Sequence, residues 1–122
     1  MIQRNGFCTL ELDEFLDAKK NAIAIIDVRR QDEYDYYGVI PGSYKLPFFD
    51  RFGDYNIEQW MEEFQKIVTS KDQPFVLVCA HANRTKAIGQ LLGEQLGYTQ
   101  VYELDGGINY GWIDKGYQTA QE

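Results

Sequence analysis

Short runs of apolar, largely β-branched residues recur along the chain. They occupy residues 22–28, 75–79 and 100–104, and a weaker run covers residues 43–46. Runs that stay apolar at successive positions are typical of strands that are buried on both faces, as in parallel sheets. We therefore predict four strands, and we place the runs at 22–28 and 75–79 in the centre of a sheet.

Between these runs, apolar residues recur every three to four positions, which is the spacing of an amphipathic helix. The clearest example spans residues 57–68, and two others cover residues 12–16 and 87–96. Thr9 is a candidate N-cap for the first helix, because acidic residues follow it where the helix dipole favours negative charge. Strands that alternate with helices predict an α/β fold with a mainly parallel central sheet and helices on both faces.

The composition is that of one folded domain. The chain has 122 residues, of which 44% are hydrophobic and 15% aromatic, so we treat residues 1–122 as a single domain. Its 12 basic and 19 acidic residues give a net charge of −7, which argues against nucleic acid as a partner. The sequence has neither a signal-peptide pattern nor an apolar run of about 18 residues, so we expect a cytoplasmic protein that does not enter a membrane.

The two cysteines, Cys8 and Cys79, are too few for a disulfide scaffold and lack the paired spacing of a zinc site. Cys79 ends the apolar run 75–79, where α/β folds bind ligands and where the N–H groups of a following helix can stabilise a thiolate. Residues 73–93 include no Asp or Glu, and Arg84 adds a positive charge. Cys79 is therefore either a nucleophile or a small core residue. Cys8 has no basic neighbour in the sequence and is interpreted as structural.

Three separated groups of residues resemble, in the same order, the signature of rhodanese-like domains. The first contains Asp-Val-Arg, Glu-Tyr and Gly-Val-Ile-Pro-Gly-Ser, the second is the cysteine loop Val-Cys-Ala-His-Ala-Asn-Arg-Thr, and the third includes Leu-Gly-Tyr and Gly-Gly-Ile. They lie within residues 26–47, 78–85 and 96–112, and the resemblance extends from about residue 7 to residue 117. Three ordered motifs over nearly the whole chain are a more specific signal than one short motif.

The resemblance implies a sulfurtransferase. Cys79 would take a sulfane sulfur from a donor such as thiosulfate or polysulfide, carry it as a persulfide, and pass it to cyanide, a thiol or a protein. Arg84 would attract an anionic donor, and Asp27 and Arg29 would brace the site as a buried pair. The chemistry needs no metal and no organic cofactor. The substrate would be held by the loop residues Ala80, His81, Ala82, Asn83, Arg84 and Thr85.

Two positions depart from the pattern of the family. Ala82 stands where the family often has glycine, and an alanine in the left-handed conformation costs about 1–2 kcal/mol, so a reshaped loop is expected. Val39 stands where histidine is frequent, which leaves His81 as the single imidazole of the chain. We interpret His81 as a solvated loop residue in preference to an acid, a base or a ligand.

Two other functions stay open. A cysteine phosphatase or arsenate reductase also cradles an oxyanion with a cysteine and an arginine, but its loop places five residues between them. Only four separate Cys79 from Arg84, and the smaller loop suits one sulfur better than a phosphate. A non-catalytic binding module is the second alternative, although such domains typically lack the cysteine. The aromatic segment 48–55 is assigned to packing, with a pocket wall or a docking patch as the alternatives.

Overall fold

The computed structural model describes residues 6–122, and a five-stranded sheet forms its centre. The strands are β1 (Gly6–Leu10), β2 (Ala24–Asp27), β3 (Tyr44–Lys45), β4 (Phe75–Val78) and β5 (Gln100–Leu104). They lie in the order β1-β5-β4-β2-β3, and every neighbouring pair is parallel. The predicted α/β fold with a parallel sheet is therefore confirmed.

Helices connect successive strands, as parallel pairing requires. They are α1 (Leu12–Lys20), α2 (Gln31–Tyr37), α3 (Ile57–Ile67) and α4 (Arg84–Gln90). Helix α4 continues into a π-helical turn over Leu91–Gln95, and a second π-helical segment covers Asn109–Ile113. None of the helices within residues 6–122 is both long enough and apolar enough to cross a membrane.

The structure corrects the prediction for the N-terminal segment. Thr9 is not the N-cap of α1; it lies in β1, a strand that the hydrophobic pattern did not predict. The N-cap is Glu11, which forms a capping box with Glu14. Strand β1 is only partly buried, and it is defined by parallel pairing with β5, about ninety positions further along the chain. Local periodicity carries no information about such a pairing.

Helix α2 was also not predicted, because it buries a single side chain, Tyr34, and so shows no apolar stripe. The Tyr34 hydroxyl donates to the Asp27 carbonyl oxygen at 2.7 Å and ties the helix to the end of β2. The apolar runs 22–28 and 43–46 are longer than the strands they contain. Strand β3 has only two residues, and both pair with β2.

The sheet carries a hydrophobic core on each face. Phe75 and Leu77 of β4 belong to one core, and Val76 and Val78 belong to the other. Helices α3 and α4 cover the first face and α1 covers the second, so the predicted helices on both faces are confirmed. The helical side chains in the first core include Trp60, Phe64, Ile88 and Leu92, and those in the second include Phe15, Ala18 and Trp112.

The carboxyl ends of the central strands bring distant segments together. The N–H of Val28 donates to the carbonyl oxygen of Val78 at 3.0 Å, which places the residues after β2 beside Cys79. On the other side, the N–H of Ile108, which follows β5, donates to the carbonyl oxygen of Cys79 at 2.8 Å. The segment that begins at Cys79 therefore lies between two loops that are remote from it in sequence.

Candidate functional site at the carboxyl edge of the sheet

Cys79 directly follows β4 and is only 1% exposed. The segment after β5 holds its backbone, and Gly107 makes this close approach possible. A Cβ atom on Gly107 would lie 2.5 Å from the carbonyl oxygens of both Cys79 and Ala80, and Gly107 also has a φ of +66°. Asn109 adds a hydrogen bond from its N–H to the Ala80 carbonyl oxygen at 3.0 Å. Backbone contacts therefore fix the start of the cysteine loop, and they leave no room for a side chain at position 107.

Ala82 adopts the left-handed conformation itself, with φ 64°, and its side chain is buried. The loop keeps a positive φ at the position where the family often has glycine, so the substitution leads to backbone strain of about 1–2 kcal/mol instead of another backbone conformation. Among residues 6–122, none accepts a hydrogen bond from the backbone N–H groups of residues 80–83. A row of N–H groups without protein acceptors can serve an anion.

Arg84 forms a bidentate ion pair with Glu33 of α2. Its two terminal nitrogens donate to the two carboxylate oxygens at 2.6 and 2.8 Å. These hydrogen bonds and the negative charge of Glu33 raise the pKa of Arg84, while partial burial acts in the opposite direction. Partial burial works to raise the pKa of Glu33, but hydrogen bonds from Arg84 and from the Arg30 backbone lower it overall. Sequence reasoning missed this role of Glu33, although the residue stands in the Glu-Tyr motif.

Thr85 lies at the base of the loop, fully buried, between the cysteine and a buried carboxylate. The Cys79 thiol donates to its Oγ1 across 3.7 Å, and the Thr85 hydroxyl donates to Glu103 Oε1 at 2.6 Å. The other oxygen of Glu103 accepts hydrogen bonds from Lys86 Nζ and from Thr9 Oγ1, both at 2.6 Å. Glu103 was not predicted as a site residue, and the available signal was an acidic residue inside the apolar run of β5.

The two ion pairs change the interpretation of the acid-free segment 73–93. Its basic side chains are Arg84 and Lys86, and each is paired with a carboxylate from another part of the chain. The segment has no Asp or Glu of its own, but the positive charges of Arg84 and Lys86 are offset by these two carboxylates. Within the described residues 6–122, no side chain accepts a hydrogen bond from the N–H groups of residues 80–83, so these groups supply a positive potential at the loop.

Asp27 and Arg29 form a fully buried ion pair at 2.7 Å beside the loop. Arg29 also donates to the Gly38 carbonyl oxygen at 2.8 Å, so it ties the end of β2 to the end of α2. Burial raises the pKa of Asp27, and hydrogen bonds and charge from Arg29 act against that rise. The predicted pairing is present, and its effect on the cysteine loop remains a prediction.

The exposure of His81 agrees with its interpretation as a solvated loop residue, and the structural role of Cys8 stays a prediction. His81 is exposed, with its ring centroid 4.6 Å from that of Tyr110 and its Nε2 3.2 Å from the Asn109 amide nitrogen. Cys8 lies in β1 at the outer edge of the sheet, and β5 separates it from β4.

The aromatic segment 48–55 divides between packing and exposure. Phe48 is buried and stacks at 5.2 Å on Tyr55, whereas Phe52 is 74% exposed. The segment borders an open cavity of about 590 Å³ whose walls also include Trp60. Phe48, Phe49 and Tyr55 line this cavity, and the residues of the cysteine loop do not. The burial of Phe48 supports the packing interpretation, whereas the exposure of Phe52 contradicts it.

A central parallel strand thus ends in a buried cysteine, and a tight loop of N–H groups and an arginine follow it. These features define the class of α/β proteins that carry a cysteine loop at the carboxyl edge of the sheet. The rhodanese-like domain family model matches residues 10–114, and the chain belongs to this family.

Among known proteins, the chain is similar to the thiosulfate sulfurtransferase GlpE of Pseudoalteromonas translucida. The two are 35% identical over 95 residues, which cover 78% of this chain and 76% of the relative. A rhodanese-related protein from Thermoplasma volcanium has a similar structure, with a TM-score of 0.69 and 27% identity over 93% of this chain and 98% of that one. A possible tyrosine phosphatase from Rhodopseudomonas palustris shares the fold, with a TM-score of 0.67 and 23% identity over 93% of this chain and 85% of that one.

Proposed function

We propose that the protein is a thiosulfate sulfurtransferase in which Cys79 carries the transferred sulfur. The main support is the position of Cys79 at the start of a loop whose N–H groups have no acceptor among residues 6–122. The similarity to a thiosulfate sulfurtransferase supports the same assignment. A loop of this kind stabilises negative charge on the cysteine sulfur and on a second sulfur attached to it.

The proposed reaction has two steps. The Cys79 thiolate attacks the outer sulfur of thiosulfate, a new S–S bond forms, and the bond to the sulfonate sulfur breaks so that sulfite leaves with the electron pair. An acceptor nucleophile, cyanide or a thiolate, then attacks the terminal sulfur of the persulfide, and the Cys79 thiolate is the leaving group. Atoms and charge balance without a metal or an organic cofactor.

Each remaining site residue has a proposed role in this scheme. The N–H groups of the segment from Ala80 to Asn83 hold the terminal sulfur, and Arg84 attracts the anionic donor although Glu33 offsets part of its charge. Asp27 and Arg29 keep the neighbouring loop in place. His81 is exposed and takes no chemical step in this scheme.

A phosphatase is the second candidate, because a possible tyrosine phosphatase shares the fold. The distance along the chain from Cys79 to Arg84 argues against it, since a loop with four intervening residues encloses less space than the phosphatase loop with five.

Mass spectrometry tests the assignment. After incubation with thiosulfate the intact protein should gain the mass of one sulfur, about 32 Da, as expected for a persulfide. Cys79→Ser should abolish the gain, and the matched control Cys8→Ser should keep it. A gain that persists in the Cys79 variant overturns the assignment. Thiocyanate formation from thiosulfate and cyanide should accompany the adduct, whereas hydrolysis of an aryl phosphate without thiocyanate formation would establish the phosphatase. The absence of both reactions would favour a non-catalytic module.

A further inference from the structure

The hydroxyl of Thr85 is held between a thiol and a carboxylate, and it has one proton. Its Oγ1 lies 2.6 Å from Glu103 Oε1 and 3.7 Å from Cys79 Sγ. An ionised carboxylate can only accept hydrogen bonds, so the Thr85 proton must point toward Glu103. Only the lone pairs of Thr85 Oγ1 are then left to face the sulfur. The hydroxyl can accept a hydrogen bond from the Cys79 thiol, but it cannot donate one to the Cys79 thiolate.

The other neighbours of Glu103 compensate the charge of its buried carboxylate. The side chain is fully buried in the central strand β5, where a carboxylate is costly unless it is paired and hydrogen-bonded. Lys86 Nζ supplies the opposite charge and Thr9 Oγ1 donates a further hydrogen bond, both to Oε2. Together with the Thr85 hydroxyl they provide three donors, so the buried charge is compensated.

We propose that Glu103 is a positioning residue that turns the Thr85 hydroxyl into a hydrogen-bond acceptor for the Cys79 thiol, so that the resting cysteine is held protonated until the sulfur donor binds. The inference rests on the proposed role of Cys79 and adds the control of its ionisation. Thr85 and Glu103 favour the thiol, while the loop N–H groups favour the thiolate. The balance between them sets the pH at which the nucleophile forms.

Other charged groups surround the sulfur, and none of them reverses this direction. Arg84 at the start of α4 favours the thiolate, but Glu33 of α2 pairs with it. Asp27 and Arg29, after β2, neutralise each other in a buried pair. His81, the remaining titratable residue of the loop, is exposed and contacts Tyr110 and Asn109. Glu103 is therefore the buried carboxylate that hydrogen bonds link to the sulfur, through the hydroxyl of Thr85.

The protonated resting state has a chemical consequence. A neutral thiol does not repel a dianionic donor, and it is less readily oxidised than a thiolate. Once thiosulfate is bound, the thiol proton passes to a sulfonate oxygen of the donor, and the Cys79 thiolate attacks the outer sulfur. The S–S bond forms, hydrogen sulfite leaves with the electron pair, and the persulfide remains as its anion.

Glu103→Gln tests the inference. Lys86 Nζ can only donate, so the oxygen of the new amide should face Lys86 and its NH2 group should face Thr85. Thr85 must then accept from the amide, and its own proton turns toward the sulfur, where it stabilises the thiolate. We expect the pH midpoint of Cys79 ionisation to fall by about one unit, the effect of one net hydrogen bond. The ultraviolet absorbance of the thiolate, measured in a Cys8→Ser background against the protein that lacks both cysteines, reports this midpoint.

Thr85→Val is a second test, and with Glu103 in place it does not require the Glu103→Gln variant to fold. With Glu103 present, loss of the acceptor hydroxyl should lower the Cys79 midpoint. In the Glu103→Gln background, where the hydroxyl donates, the same substitution should raise it. The inference is wrong if Thr85→Val raises the midpoint with Glu103 in place, or if the effect has the same sign in both backgrounds. A midpoint that stays constant or rises in folded Glu103→Gln also overturns it.

Thr9→Val is the matched control. It removes a hydrogen bond from the same carboxylate, but at Oε2, the oxygen that does not contact Thr85. The midpoint of Cys79 should stay constant, and a fall as large as that in Glu103→Gln would show that any weakening of the cluster has the effect. The titration of Cys79 does not require turnover, so it tests the role of Glu103 separately from the proposed sulfurtransferase activity. The expected shift can be absent in a protein that forms thiocyanate from thiosulfate and cyanide, and it can be present in a protein that forms none.

Discussion

The ion pair between Arg84 and Glu33 makes Glu33→Gln a variant with two effects of opposite sign, one on donor binding and one on stability. The variant keeps the shape of the side chain and removes one negative charge next to the arginine that is proposed to attract the donor. The guanidinium separates the carboxylate from an anion on its far side, so the two charges lie about 7 Å apart. In water, a dianion at that distance from one negative charge is repelled by about 1 kcal/mol. Loss of this repulsion should raise kcat/KM for thiosulfate about fivefold.

The same substitution should lower stability. The pair has two charge-assisted hydrogen bonds at 2.6 and 2.8 Å, and the side chains of Arg84 and Glu33 are only 25% and 13% exposed. Hydrogen bonds to charged groups contribute about 1.5–3 kcal/mol each, and an amide keeps part of that, so a loss of about 2 kcal/mol is expected. For 122 residues this corresponds to a Tm lower by about 8 °C.

Steady-state kinetics of thiocyanate formation at low and high salt, together with thermal unfolding, measure both effects. The gain in kcat/KM should shrink at high ionic strength, because it is electrostatic. Glu63→Gln is the matched control, since Glu63 pairs with Lys66 on the exposed face of α3 and the variant has the same change in net charge. If kcat/KM falls in Glu33→Gln, or rises equally in both variants, the reasoning about Arg84 is refuted.

The pair also gives stability a pH dependence. The pKa of Glu33 is lowered from 4.5 in the folded protein, so the folded state binds the proton more weakly than the unfolded state. The stabilisation is complete above pH 4.5 and is lost as the pH falls through the lower, folded-state value. Unfolding in urea between neutral pH and pH 3 should show a smaller loss of stability in Glu33→Gln. An identical loss in both proteins would mean that this carboxylate does not contribute.

Two backbone variants test the conformation of the cysteine loop. Ala82→Gly removes the strain of φ 64°, and the gain is partly offset by the conformational entropy of glycine. The free energy of unfolding should rise by about 0.5–1 kcal/mol, while the rate of sulfur transfer stays within about twofold. A lower stability in urea would contradict this. Gly107→Ala places a Cβ 2.5 Å from the carbonyl oxygens of Cys79 and Ala80, so it should lower the rate of sulfur transfer at least tenfold. Gly97→Ala also has positive φ but no atom within 4 Å, so it should lose about 1–2 kcal/mol of stability and keep its activity. Equal rates in the two alanine variants would contradict the role given to Gly107.

The parts of the fold that could be predicted are those encoded by local periodicity. The runs that contain β2 and β4 are apolar on both faces, and α3 has a clear amphipathic stripe, so each could be assigned from its own residues. Three elements escaped prediction, namely β1, α2 and the π-helical segment Asn109–Ile113, and the first two lack such patterns. Strand β1 depends on pairing with β5, and α2 buries only Tyr34.

The candidate site shows the same division. Cys79 and Arg84 could be named from their place after a strand and from their spacing, because the end of a strand is a local property. Glu33 and Glu103 could not be named, because they reach the loop from positions 51 residues from Arg84 and 18 residues from Thr85. An acid-free segment in the sequence became a segment with two ion pairs once the chain was folded.

By itself, the sequence determined the α/β class, the place of Cys79 at the end of a buried strand and the length of the loop that follows. Those properties depend on hydrophobic periodicity and on spacing along the chain. The tertiary structure decided which carboxylates meet the loop, because the sheet order places β5 and its Glu103 beside β4, and the ion pair between Glu33 and Arg84 joins α2 to the start of α4. The ion pair of Arg84 with Glu33 and the hydrogen bond from Thr85 to Glu103 are contacts between distant segments, and no local pattern encodes them.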